Sequence, residues 1–99
     1  MEESQIRKKA VQFLEGQGWI CWAPPKVKFK QNDIFGIIDL LAIKKKKMKK
    51  IQLTTLSNIS ARRKKIANFF KKNKVEMTVE IWAWTKKKKG FKKEKFNGK

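Results

Sequence analysis

Asp39 stands in the middle of an apolar run, Ile37-Ile-Asp-Leu-Leu-Ala-Ile43. A carboxylate buried without partners is very costly, so such a group pairs, binds a metal or shifts its pKa. A second run, Ile51-Gln-Leu-Thr-Thr55, follows a lysine-rich stretch. Both runs have the length and composition of β-strands. Successive strand side chains point to opposite faces. Ile37, Asp39, Leu41 and Ile43 therefore share one face, and Gln52 and Thr54 share one face of the next strand. In hairpin register, Asp39, Gln52 and Thr54 converge as a polar cluster on a mostly apolar sheet. The alternative is that Asp39 lies near a sheet edge and caps a turn or pairs with a lysine.

Residue types exclude other chemistry. The chain has no His, which removes imidazole bases, His-ligated zinc and every Ser-His or Cys-His arrangement. Cys21 is alone, so no disulfide framework or cysteine metal site is expected.

The elements that must position the cluster follow from periodicity. Residues from about Glu3 to Glu15 carry Ile6, Ala10, Val11, Phe13 and Leu14 near helical spacing, and Gly16 and Gly18 follow. Trp19 to Ala23 reads as a short strand stopped by Pro24-Pro25. Lys26 to Lys30 alternates, with Val27 and Phe29 expected inward, and Gln31-Asn32-Asp33 is a turn signal. Lys44 to Lys50 is expected to turn in solvent. A second helix is expected from about Ser60 to Asn73, with Ala61, Ile66, Ala67, Phe69 and Phe70 inward and Ser57, Asn58 or Ser60 as cap. Val75 to Thr85 alternates as a last strand. Its Trp82 and Trp84 could stack on bases, although packing under a helix is the commoner fate of such aromatics. Together these predict a single α/β domain over residues 1–85, with a small mixed sheet flanked by two helices. Residues 86–99 are expected to be a basic C-terminal tail, in which a short strand through Phe91 could form.

The chain has 99 residues, 27 basic and 8 acidic, for a formal charge of +19. Such a field attracts polyanions, nucleic acid above all. Lysine-rich coding bias would supply Glu as readily as Lys, yet acids are scarce. No apolar run approaches the ~20 residues of a membrane span, and the N-terminus lacks the order of a signal peptide. A cytoplasmic protein without a membrane partner is expected. Arg62, Arg63, Lys64 and Lys65 crowd the first turns of the second helix, where cations oppose the helix dipole. Either an anionic backbone passes that end or the run is a solvated face.

On Asp33-Ile-Phe-Gly-Ile-Ile-Asp39, Ile51-Gln-Leu-Thr54 and Ser57-Asn-Ile-Ser-Ala-Arg-Arg-Lys-Lys-Ile66, the chain resembles the PD-(D/E)XK nuclease superfamily. Within it, the chain is similar to archaeal Holliday-junction resolvases and small phage and prokaryotic proteins of that fold. The resemblance covers Glu3 to Trp84. It implies a restriction-endonuclease-like core in α-β-β-β-α-β order, and a prokaryotic, archaeal or viral origin. It also implies a Mg²⁺- or Mn²⁺-dependent DNA endonuclease that hydrolyses phosphodiesters, including those of branched DNA such as Holliday junctions. By position, Asp39 matches the family's Asp, Gln52 its second acid and Thr54 its Lys, which makes these three the catalytic candidates. The implied metal ligands are Asp39, Gln52, Asp33 at the start of the same region, and Glu3 as the nearest helix acid. The implied nucleic-acid contacts are Arg62, Arg63, Lys64 and Lys65, with Lys46 and Lys47 from the lysine turn. Related resolvases act as dimers, so a homodimer is open here.

The departures have chemical consequences. Gln52 offers Mg²⁺ an oxygen but no charge, and Thr54 cannot stabilise developing charge as an ammonium does. A nucleic-acid-binding protein on a nuclease fold, without catalysis, needs only the charge. A small subunit or inhibitor of a nucleic-acid enzyme is a third reading, and the charge weighs against it.

Overall fold

The spacing of Ile6, Ala10 and Leu14 puts three apolar side chains on one stripe, and in the computed structural model that stripe is the buried face of helix α1, Glu3–Gly16. The structure describes residues 3–24, 26–27, 30–31 and 33–97. The chain leaves α1 through Gly18, whose φ of 90° suits a residue without a Cβ. Lys44 Nζ donates to the Gln17 carbonyl at 2.7 Å and satisfies one backbone oxygen beyond that end.

Five strands form one mixed sheet: β1 (Ile20–Trp22), β4 (Leu40–Lys44), β5 (Lys47–Thr55), β6 (Val79–Thr85) and β7 (Gly90–Phe96), in the order β1-β4-β5-β6-β7. The remaining strands, β2 (Lys26–Val27) and β3 (Lys30–Gln31), form a separate two-stranded ladder. The inward placement of Val27 and Phe29 lies outside the described residues, as do Pro25 and Asn32 of the neighbouring turns. Neighbours in the large sheet are antiparallel except β5 and β6, which are parallel. Helix α2, Ile59–Asn73, makes the crossover between them, as a parallel pair requires.

Alternation along the strands builds two cores. Leu40, Ala42, Ile51, Leu53 and Trp82 face α1. Ile37, Ile38, Val79 and Ile81 face α2 through Ile66 and Phe70.

Four elements differ from the sequence expectations. The lysine turn is only Lys45 and Lys46, because Lys44 pairs with Lys47 and the ladder continues through Met48, Lys49 and Lys50. Lys45 adopts a φ of 56°, the conformation tight hairpin turns demand. The last strand of the expected domain starts at Val79 rather than Val75, because Lys74 closes α2 in the left-handed conformation and Val75 N–H still bonds Phe70 O at 3.2 Å. Leu56–Asn58 is a 3-10 turn, and the side chain of the cap candidate Asn58 donates to Thr55 Oγ1 at 3.3 Å instead of capping α2.

The fourth difference is the basic tail of residues 86–99. Gly90–Phe96 pairs with β6 along its whole length, so most of that segment belongs to the sheet. Phe91 and Phe96 are an odd number of positions apart and point to opposite faces. Phe91 meets Trp82 on the α1 side at 5.3 Å, and Phe96 meets Phe70 on the α2 side at 6.2 Å. Each face of the strand is anchored by one aromatic. Its lysines lie on an outer edge, where charge discourages pairing with another chain.

Glu94 on β7 receives two hydrogen bonds from Arg63, at 2.6 and 2.8 Å. The Arg63 hydrogen bond holds Glu94 below its ordinary value of 4.5 against the opposing effect of burial, with further help from the attraction of Arg63 and Lys92. A depressed carboxylate contributes stability that is present above its unfolded pKa and lost as pH falls through the folded value. Glu94→Gln should therefore melt lower than the parent at neutral pH, and the gap should close as the pH falls below 4.5. A Tm-versus-pH series on both proteins checks this, and a gap that widens in acid would refute it.

Candidate functional site

The hairpin β4–β5 positions the polar cluster. Its last ladder pair at this end is Leu40 with Ile51. Asp39 N–H bonds Ile51 O at 2.8 Å, which brings Asp39 opposite Gln52. Beyond that pair the Asp39 side chain takes over from the backbone. Its Oδ2 accepts the Leu53 N–H at 2.7 Å and a hydrogen bond from Gln52 Nε2. Asp39 and Gln52 are each 1% exposed and Thr54 is 5% exposed. The convergence expected from strand alternation is thus present for Asp39 and Gln52, and Thr54 shares their face. Gln52 Oε1 and Thr54 Oγ1 have no hydrogen-bond partner among the described residues.

An apolar cluster shares the α2 side of the sheet with these residues. Ile34 to Ile38 form a tight turn closed by Ile34 N–H to Ile38 O at 2.8 Å, with Phe35 and Gly36 at positive φ. The turn lays Ile37 and Ile38 against Ile66 and Phe70 of α2, while Phe35 meets Phe69 at 5.9 Å. None of the main surface grooves is lined by Asp39, Gln52 or Thr54.

Among the described residues the other acids do not join them. Asp33 faces α2, with Lys65 Nζ 3.5 Å from its Oδ2. Glu3 belongs to α1, which packs on the opposite face of the sheet, and its side chain lies outside the described residues. Glu80 is on the α1 face, bound by Lys49 at 2.9 Å and by Trp82 Nε1 at 3.1 Å. Among the described residues no three His, Cys, Asp or Glu side chains gather to hold a metal ion.

Mg²⁺ rests on one or two carboxylates, several waters and substrate phosphate in near-octahedral geometry. Among the described residues one carboxylate has an oxygen already accepting two hydrogen bonds, beside two neutral side chains. This donor set does not fit Mg²⁺. It fits a buried polar network that continues the sheet where β4 stops.

The basic side chains divide into two groups. Arg63 is held by Glu94, Lys65 lies near Asp33, and Arg62 is half-buried. Lys64, Lys46 and Lys47 are exposed. Two basic features were not singled out by the spacing of residues. One is the turn Lys86 to Lys89 between β6 and β7, ordered by the strand that follows it. The other is Lys93, whose Nζ stands 4.1 Å from the Phe13 ring and 4.5 Å from the Trp82 ring. Burial, with Lys49 nearby, lowers the Lys93 pKa against the pull of Glu80. The charged run Lys86 to Lys89 followed by Gly90 was a sequence signal that could have located the β6–β7 turn.

Comparison of the chain with family models, curated proteins and solved structures finds no match.

Proposed function

We propose that this domain binds nucleic acid through its phosphate backbone and does not cleave it. The observation that carries the reading is the pairing of a charge of +19 with a closed polar cluster. The charge stands outside and reaches a polyanion, whereas Asp39, Gln52 and Thr54, which would have to meet a scissile phosphate, are buried, and Gln52 is bonded to Asp39. The element order α1-β1-β4-β5-α2-β6 supports kinship with the restriction-endonuclease-like core, as does Asp39 opposite Gln52. Kinship of fold does not carry activity with it. Among the described residues no helix is long and apolar enough to cross a membrane.

Contacts made by Lys64, Lys46, Lys47 and the β6–β7 turn to phosphates would give little sequence preference and a steep salt dependence. Log K should fall by ~0.9 per phosphate neutralised for each tenfold rise in salt. The test is a gel shift with linear duplex, single strand and a four-way junction over a salt series, with Mg²⁺ or Mn²⁺ in parallel lanes. Binding that weakens with salt, without product in any metal lane, is the expected result. Metal-dependent cutting that disappears in Asp39→Asn would overturn the non-catalytic reading and establish an endonuclease. Absence of binding to all three substrates at low salt would overturn the nucleic-acid reading itself.

A further inference from the structure

The end of the sheet where β6 turns into β7 brings aromatic rings, an exposed leucine and several lysines together. Trp84 and Phe91 face each other across the ladder and meet edge to face, with centroids 5.3 Å apart at 72°. They line an open groove of about 760 Å³ whose far wall is the 3-10 turn, where Leu56 is 49% exposed. Lys87, Lys88 and Lys92 stand around its rim, all exposed. The same aromatic pair also lines a second groove of about 880 Å³ against α1, beside Phe13, Lys89 and Lys93. The two grooves share Lys86 and Gly90, so they meet at the hairpin end.

An aromatic and aliphatic floor inside a ring of ammonium groups has a definite chemical complement. It suits a flat apolar ring joined to phosphate, repeated along a chain. A duplex keeps its bases stacked inside and would offer this groove phosphates alone. A single strand can turn a base onto the Trp84 and Leu56 surface while its backbone runs along the lysines. We infer that the Trp84–Phe91 groove is a stacking site for single-stranded nucleic acid, in which Lys87, Lys88 and Lys92 hold the flanking phosphates. The inference rests on the nucleic-acid reading above and adds where the strand lies and which form is preferred. An acidic peptide is the competing occupant of a lysine-rimmed groove. It matches the charge but leaves the aromatic floor without a planar ring to stack.

The test uses the full chain and a 20-mer of deoxythymidine, a 20-base-pair duplex and polyglutamate as competitor. Lys87→Glu/Lys88→Glu is compared with Lys71→Glu/Lys72→Glu, which changes the net charge equally at the far end of α2. All four lysines are exposed, so neither variant disturbs a core. The expected result is a loss of roughly tenfold in single-strand affinity for the first variant and a clearly smaller loss for the second. Photo-cross-linking of 5-bromouracil strands should label the peptide that holds Trp84 or Phe91, and polyglutamate should compete poorly. Equal losses in the two variants, or cross-links confined to other segments, would overturn the groove assignment while leaving general nucleic-acid binding intact. Displacement by polyglutamate as effective as by unlabelled strand would assign the groove to an acidic peptide instead. No binding of either oligonucleotide by the parent protein would overturn the underlying reading along with it.

Discussion

Replacing Trp82 by alanine should cost about 3–5 kcal/mol, the range for losing a large buried aromatic. Trp82 is 1% exposed and sits where both helical and strand elements converge on the α1 face. Its ring meets Phe13 edge to face at 5.8 Å and Phe91 at 5.3 Å, and Lys93 stands over it at 4.5 Å. Its Nε1–H bonds Glu80, which also binds Lys49. Truncation would open a cavity and leave the Glu80 carboxylate with one partner fewer. Domains of this size are stable by about 5–15 kcal/mol, so the variant should lie close to unfolding. Each kcal/mol lowers the Tm of a 60–100-residue domain by about 4–8 °C. Trp82→Phe keeps most of the ring contacts and gives up the Nε1–H bond, so it should lose much less. Urea denaturation followed by far-UV circular dichroism separates the two. A loss below about 1 kcal/mol for the alanine variant would mean that the α1 face is not packed as described.

Asp39→Ala should destabilise the protein by about 2–4 kcal/mol, because it strips a partner from two buried donors at once. The Leu53 N–H and the Gln52 amide would then be left buried without that acceptor. Asp39→Asn retains an acceptor in the same place and should cost less than the alanine change. The pair of variants therefore separates hydrogen bonding from charge. If Asn were as damaging as Ala, the negative charge itself would be the stabilising feature. Under the proposed function, nucleic-acid binding by the folded fraction of either variant should be unchanged, since the carboxylate is buried. A large gain or loss of affinity at constant fold would place Asp39 at the interface after all.

Much of this was legible in the chain because it is local. Ile6, Ala10 and Leu14 repeat at helical spacing whatever they pack against. Asp39 in an apolar run, followed by Gln52 and Thr54 two positions apart, allows one register in which the polar groups meet. That register is the one found. Where the hairpin turns was harder to see. Seven residues from Lys44 to Lys50 look like one solvated loop by composition, yet lysine stems lie readily along a strand while their ammonium groups reach water. The β7 segment was harder still. Its two phenylalanines are separated by charged residues, and neither makes an apolar face until Trp82 on one side and Phe70 on the other are in place.

The sequence by itself determined the excess of positive charge, the absence of imidazole chemistry, the two amphipathic helices and the polar pair at Asp39 and Gln52. These follow from residue type and from periods of two and 3.6, which need no partner to be read. Long-range packing settled that the 34–38 turn meets α2, that Arg63 is taken up by Glu94, and that the β6–β7 turn presents lysines around Trp84 and Phe91. The Arg63–Glu94 pair and the contact of the 34–38 turn with α2 join segments far apart in the chain, and the turn lysines gather at Trp84 and Phe91 only because β6 and β7 pair. Burial and the choice among many competing lysines and acids are settled by that long-range packing and not by local pattern.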